Sequence, residues 1–391
     1  MNFDLTETEQ RFRNNLRQWL QEHLPTGWGE TVFEPVDLQD KIAFLKDWTR
    51  QLHAAGYAGL SWPKAYGGAG ATLMEQVIFN EEVARCKAPT PYNSIALGMV
   101  GPTLIEVGTE EQKQRYLAKM LTCEEIWCQG YSEPGSGSDL ASLQTRAVQD
   151  GDDFVINGQK VWTSYAHDAA FCFLLARTDT EVPKHKGLSC FIVDMHSPGV
   201  TTRPLKHNTG EAEFNEVFFD NVRVPRQNLV GELNNGWLVG IGLLMHERAT
   251  TAILGQANLQ VLVQDVMALA RRRGRNQEPL IRQRLARLYA ESEAIKYYGY
   301  RCLTRRLRGL PPGPEGSAHR LTLTRLTQQA QELAMELQGP YAQLMHGSPR
   351  AIEDGAWQVA FLRSRSATIA GGTAEIQKNI IGERVLGLPR G

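Results

Sequence analysis

No apolar run in this 391-residue chain approaches the ~20 residues needed to cross a bilayer. Met1-Asn2-Phe3-Asp4 lacks the basic stretch and apolar core of a secretion signal, so a cytoplasmic protein without membrane insertion is expected. Charge of one sign is also missing. The formal net charge is −1, which argues against the long-range field that nucleic-acid binders use. Arg271-Arg272-Arg273-Gly274-Arg275 is a local exception, read as a solvated helix end in preference to an anion site. Cysteine is sparse and scattered. Cys86, Cys123, Cys128, Cys172, Cys190 and Cys302 show no metal-ligand spacing, so no metal site and six reduced thiols are expected.

What is present is the composition of a globular protein, long enough for two or three domains. Residues 1–122 read as an N-terminal helical domain. Thr6 to Glu9 and Thr109 to Gln112 have capping-box spacing, and Gly59 to Gly68 is a turn-rich break. Residues 123–234 change texture. Phe154-Val155-Ile156 and Gln159-Lys160-Val161-Trp162 flank Asn157-Gly158, a dipeptide suited to a type I′ hairpin turn. With Phe171–Ala176, Leu188–Val193 and Glu216–Phe219 as further strands, this segment predicts a middle antiparallel β domain. Helical periodicity returns over 235–391, a C-terminal bundle interrupted at Pro311-Pro312-Gly313-Pro314. The fold class is therefore α+β, and the order helices, sheet, helices disfavours a Rossmann fold.

Three stretches could carry chemistry. Ser132-Glu133-Pro134-Gly135-Ser136-Gly137-Ser138-Asp139 combines glycines and hydroxyls that suit close approach to a ligand, although an ordinary surface loop would look the same. Trp162-Thr163-Ser164 sets a large aromatic beside hydroxyls, as a planar cofactor or a plain core would use it. Ile369-Ala370-Gly371-Gly372-Thr373-Ala374-Glu375-Ile376-Gln377 starts a helix after two glycines, fit for an anion or simply for a cap.

Taken together and in this order, these motifs closely resemble the acyl-CoA dehydrogenase family over essentially the whole chain. The Gly59 to Gly68 break and Phe214-Asn215-Glu216-Val217-Phe218-Phe219-Asp220-Asn221-Val222-Arg223-Val224-Pro225 complete the set. The resemblance implies FAD, an acyl-CoA substrate and a tetramer whose cofactor touches a neighbouring subunit. It implies that Gln129, Tyr131 and Ser132 line the flavin edge, that Ser138 sits by cofactor and CoA ester, and that Trp162 covers the flavin face. Ser164 would reach flavin N5, and Thr373 and Glu375 the rest of the cofactor. The reaction would take an α-proton to a base and a β-hydride to flavin N5, with the cofactor carrying the redox chemistry.

Many family members place the base before the final Gly-Thr motif, where this chain has Gly371. Members resembling isovaleryl- and long-chain acyl-CoA dehydrogenases carry it on the first long helix of the bundle. There this chain has Glu247, spaced from Leu243, Leu244 and Leu254 to share an apolar helical face. Glu247 is the expected catalytic base, a structural ion pair being the alternative; Arg248 would hold it or line the acyl site. The Gly371 N–H can still polarise the thioester carbonyl.

Elsewhere the chain departs from the family. It keeps an arginine, Arg272, where a neighbour's FAD is reached, but loses the Phe-Gly that follows, and Met335 replaces a glutamine. Those departures lean towards bacterial members that act on steroid side-chain or branched thioesters, some of which form heterotetramers with fewer FAD sites. A homotetramer is the alternative assembly, and electron-transfer flavoprotein the implied acceptor. Rival readings are an acyl-CoA oxidase or flavin monooxygenase on the same fold, or a non-catalytic subunit of a heterotetrameric dehydrogenase.

Overall fold

The computed structural model describes residues 4–29, 32–35, 37–310 and 313–389, apart from the side chains of 247–253 and 315. Its helices are α1 (Glu7–His23), α2 (Leu38–Ala54), α3 (Leu73–Arg85), α4 (Gly101–Val107) and α5 (Glu110–Leu121), then, after the strands, α6 (Gly236–Arg272), α7 (Pro279–Leu307), α8 (Glu315–Gln338), α9 (Ala356–Ser364) and α10 (Ala374–Ile380). Between them run β1 (Trp127–Gly130), β2 (Arg146–Asp150), β3 (Asp153–Ser164), β4 (Phe171–Arg177), β5 (Leu188–Asp194), β6 (Val200–Leu205), β7 (Phe214–Pro225) and β8 (Leu229–Val230). Helices, sheet, helices is thus the observed order. No helix among the described residues is long and apolar enough to cross a membrane.

Two compact units divide the chain. One, the sheet unit, comprises Leu24–Gln76 and Ala88–Thr250; the other, the bundle unit, comprises Met1–His23, Val77–Lys87 and Thr251–Gly391.

In the sheet unit the strand order is β6-β7-β3-β2-β4-β5-β8, with β1 paired to β4. Pairing is antiparallel except at β1·β4 and β2·β4, which are parallel. The continuous apolar run of β4 explains its place, since all seven of its residues are buried and β1, β2 and β5 flank it. Phe173, Leu174, Phe191 and Ile192 are 0% exposed, each a side chain worth roughly 1.5–3 kcal/mol on full burial.

One expectation fails here. Asn157-Gly158 makes no turn: residues 153–164 form a single strand, and the hairpin lies between β2 and β3, around Gly151 (φ 62°). Gly158 is needed for another reason. A Cβ there would come within 2.5 Å of Thr145 Oγ1 and 2.7 Å of its Cα, so the glycine admits a neighbouring backbone. β3 shifts register against β7 at this point and again between Lys160 and Thr163.

In the bundle unit, helical spacing sets the core. Leu259, Val263 and Val266 of α6 meet Leu285 and Leu288 of α7 and Leu326, Ala330 and Leu333 of α8 in one buried cluster. α1 is tied to α3 by Arg17, which donates twice to the buried Glu82 at 2.8 Å, and by Arg13, which donates to Glu81 at 2.8 Å. Both capping boxes form: Glu9 N donates to Thr6 Oγ1 at 3.3 Å, and Gln112 N to Thr109 Oγ1 at 3.2 Å. Pro311 and Pro312 lie outside the described residues.

Candidate active site

In the sheet unit β1 runs into the loop at 131–139, and β3 ends at Ser164 beside that loop. Val161 N donates to Ser132 O at 2.9 Å, joining loop and strand directly. Beneath the junction lies Lys160, with no side-chain surface exposed. Its Nζ donates to Glu133 Oε1 at 2.8 Å and to Tyr131 O at 3.0 Å. The Glu133 carboxylate also accepts from Gln144 N at 2.6 Å and Thr145 N at 2.8 Å. Burial pushes the Glu133 carboxyl up, but the Lys160 charge and these hydrogen bonds outweigh it and hold the group below its ordinary range. Burial likewise pushes Lys160 down, to about 8, against the pull of Glu133.

The loop beyond is stiff at its base. Glu133 and Ser136 exchange backbone hydrogen bonds at 2.9 and 3.0 Å, and Ser136 Oγ donates to Asp139 O at 2.7 Å. Gly135, Gly137 and Ser138 stand at the exposed rim, and a Cβ on either glycine would meet nothing within 4 Å. Crowding inside the chain is therefore not what selects glycine there.

Trp162 is 59% exposed and sits at φ 61°, a left-handed conformation that is strained for a bulky side chain. The reason is the second register shift. Phe154, Ile156 and Lys160 alternate on the buried face, and uninterrupted alternation would bury Trp162 as well. The bulge between Lys160 and Thr163 reverses the parity, burying Thr163 and turning the indole outward. Phe214 meets the indole edge-to-face with ring centroids 6.0 Å apart, and Phe214 also pairs in register with Ser164.

Gln129 lies on β1 between Cys128 and Gly130, and its Nε2 is buried without a hydrogen-bond partner. Tyr131 is 5% exposed, and a Cβ on Gly240 would lie 3.4 Å from its hydroxyl. Gln129, Tyr131, Ser132, Trp162 and Ser164 are thus gathered where β1, the loop and β3 meet, while Ser138 sits on the loop's outer side.

The remaining expected residues belong to the bundle unit or lie outside description. Gly371 (φ 61°) and Gly372 (φ 96°) form the left-handed turn before α10. Thr373 is the N-cap, its Oγ1 accepting from Ile376 N at 3.2 Å, and Glu375 is exposed in the first turn. Gln377 Nε2 closes the turn on Gly372 O at 3.2 Å, in the space a Cβ at 372 would need. Arg272 ends α6 and pairs with Glu353 at 2.5 Å. Glu247 and Arg248 lie outside the described residues. Their neighbour His246 pairs with Glu106 at 3.2 Å.

Two features escaped the sequence reading. The Lys160–Glu133 pair had a signal, since Lys160 falls on the buried parity of β3. The other is His207, Glu211 and Glu213, which bring possible ligand atoms within 4.8 Å of one another. Of the three, Glu211 is paired with a cation of the chain: Lys41 Nζ is 3.3 Å from Glu211 Oε1 and 3.2 Å from Glu34 Oε2.

Comparison with known proteins matches three family models in chain order. They are the N-terminal domain (residues 6–124), middle domain (128–222) and C-terminal domain (234–386) of acyl-CoA dehydrogenase. Acyl-CoA dehydrogenase IpdE1 of Mycolicibacterium smegmatis is 39% identical over 393 residues, covering 97% of this chain and 98% of its own. The solved structure of the Tcur3481-Tcur3483 steroid ACAD superposes with a TM-score of 0.88 at 33% identity over 100% of both chains. The ChsE4-ChsE5 complex of Mycobacterium tuberculosis gives 0.86 at 32% identity, again over 100% of both. The whole length of the chain is accounted for by these matches, and it belongs to the acyl-CoA dehydrogenase family.

Proposed function

We propose that this enzyme binds FAD and oxidises the α,β-bond of an acyl-CoA thioester, with Glu247 as the base. The carrying observations are the outward-turned, strained Trp162 and the buried, unpartnered Gln129 Nε2 of the same unit. A buried amide donor without an acceptor costs about 1–3 kcal/mol, so a site that keeps one is shaped for a ligand acceptor. The carbonyl edge of a flavin offers that acceptor, and a half-exposed indole offers a face for the ring.

Gln129, Tyr131, Ser132, Trp162 and Ser164 would hold the ring, and Ser138, Arg272, Thr373 and Glu375 the rest of the cofactor and the CoA ester. The chemistry FAD supplies when bound is two-electron oxidation. Glu247 takes the α-proton, with Arg248 holding the carboxylate or lining the acyl site, while the Gly371 N–H polarises the thioester oxygen. Glycine at 371 removes a side chain near the acyl group, which suits a bulky substrate. Because two relatives are named as two-component complexes, one of them a steroid ACAD, a steroid-derived or branched thioester and pairing with a related subunit are the readings we favour. Electron-transfer flavoprotein is the proposed acceptor and the cytoplasm the proposed location.

Anaerobic bleaching of the bound flavin by linear, branched, aryl and steroid-derived CoA thioesters tests this. Glu247→Gln is expected to keep FAD and lose bleaching by more than ~100-fold, the scale of general-base catalysis. Full bleaching by that variant would remove Glu247 from the mechanism. A colourless chain that turns yellow only with a partner subunit would favour the non-catalytic subunit instead.

A further inference from the structure

Trp162 needs something to keep it at a positive φ, because strain of this kind persists only where the surroundings fix it. The edge-to-face contact with Phe214 touches only the ring. The backbone is held by Asn215, which is 0% exposed. Its Nδ2 donates to Thr163 O at 3.0 Å and to Glu213 O at 3.3 Å. Glu213 O also accepts from Tyr165 N at 2.8 Å, and Tyr165 itself sits at φ 55°. One amide group therefore staples both sides of Ser164.

The amide's orientation follows from its partners. With Nδ2 facing two carbonyls, Oδ1 is left to accept, and His167 Nδ1 lies 3.2 Å from it. Nδ1 must then be the donor of this contact, while His167 Nε2 is buried and has no partner. The contact with His167 therefore helps to fix the orientation of the Asn215 amide. A hydrogen-bonded residue on the adjacent strand that served β-pairing alone would have no need of a third polar partner.

We propose that Asn215, oriented by His167, is the positioning residue that holds Trp162 and Ser164 in their strained turn and so presents them to the cofactor. This rests on the reading of Trp162 and Ser164 as flavin-facing. Asn215 touches no reacting atom in that reading and acts only through the turn.

The test uses Asn215→Leu, similar in volume but unable to donate, and the pair His167→Leu and His167→Gln. In the FAD-free protein, amide exchange of peptide 161–165 is expected to quicken at least ~10-fold in Asn215→Leu, while β4 and β5 peptides keep their rates, since about 1.4 kcal/mol of local opening energy is lost with two hydrogen bonds. The FAD dissociation constant is expected to rise by a similar factor, with a changed visible flavin band. His167→Leu should move both readouts the same way and His167→Gln, which restores a donor, should return them; this pair carries the test if Asn215→Leu does not fold. Unaltered exchange at 161–165, or equal acceleration across the sheet, overturns the assignment. So does normal FAD affinity in Asn215→Leu beside weakened affinity in Trp162→Ala. Normal affinity in both, with faster exchange at 161–165, sinks the flavin-facing reading instead and leaves the hold of Asn215 on the turn standing.

Discussion

Lys160 and Glu133 face each other at 2.8 Å with 0% and 7% of their side chains exposed, linking the β3 strand to the loop that follows β1. Removing one partner from such a pair leaves an uncompensated buried charge, at a cost of about 3–5 kcal/mol. Lys160→Met is therefore expected to lower the urea midpoint steeply. The double variant Lys160→Met with Glu133→Gln should recover part of the loss, because no buried charge remains. A single variant no less stable than the wild type would show that the pair does not organise this junction.

The same lysine sets a pH dependence above neutrality. With its folded value lowered to about 8 from an ordinary 10.5, the unfolded chain holds a proton that the folded chain has released between those values. Stability from this group therefore rises with pH across the window from 8 to 10.5 and is at its minimum below 8. Urea unfolding of wild type and Lys160→Met across this range should show their difference changing in favour of the wild type. A difference that stays flat would mean the ammonium is not desolvated.

His319 in the bundle unit makes the opposite end of the pH scale informative. It is 4% exposed, its Nε2 lies 3.3 Å from Gln256 Oε1, and burial pushes it down to about 4. Below about 6.5 the unfolded imidazole takes a proton that the folded one refuses, so stability falls as pH drops from 6.5 to 4. The loss over that window is on the order of 3 kcal/mol. His319→Asn, which keeps a donor for Gln256 and cannot titrate there, should flatten this limb in thermal unfolding curves. An unchanged acid limb would assign it to carboxylates elsewhere.

Trp162 should behave unlike other large aromatics. Trp162→Gly relieves the left-handed backbone, worth about 1–3 kcal/mol, and loses the edge-to-face contact with Phe214, worth about 0.5–1.5 kcal/mol. The two nearly cancel, so the FAD-free variant should unfold within about 1 kcal/mol of wild type, whereas truncating a buried tryptophan costs roughly 3–5 kcal/mol. Affinity for FAD should nonetheless drop. A loss of several kcal/mol without cofactor would place the indole in the core rather than at a binding surface.

These contrasts mark where the sequence was legible. Thr6–Glu9 and Thr109–Gln112 were readable because a cap involves residues three apart, and the β4 run was readable because every residue in it is buried. Asn157-Gly158 misled, since a turn dipeptide carries no record of Thr145 pressing on its glycine. The outward turn of Trp162 depends on a bulge that strand alternation cannot announce. The pairing of Arg272 with Glu353, 81 positions along the same chain, was not legible either, since no local pattern spans that distance.

Gly371 allows the placement of the base to be tested by moving it. The residue sits at φ 61°, where a side chain costs roughly 1 kcal/mol, so Gly371→Glu should fold with a modest loss of stability. If the acyl α-carbon lies within reach of both positions, Gly371→Glu introduced into Glu247→Gln should restore bleaching at least ~10-fold over the single variant, a fraction of the 10²–10⁴ that a well-placed base contributes. Stopped-flow absorbance at the flavin band reads this directly. If residue 371 borders the acyl group as proposed, Gly371→Glu in the wild-type background should slow bulky thioesters more than short ones, because the new carboxyl would occupy space that glycine leaves to the acyl chain. Equal slowing of short and bulky substrates would mean that residue 371 does not border the acyl group, and the preference for a large substrate would lose its structural basis.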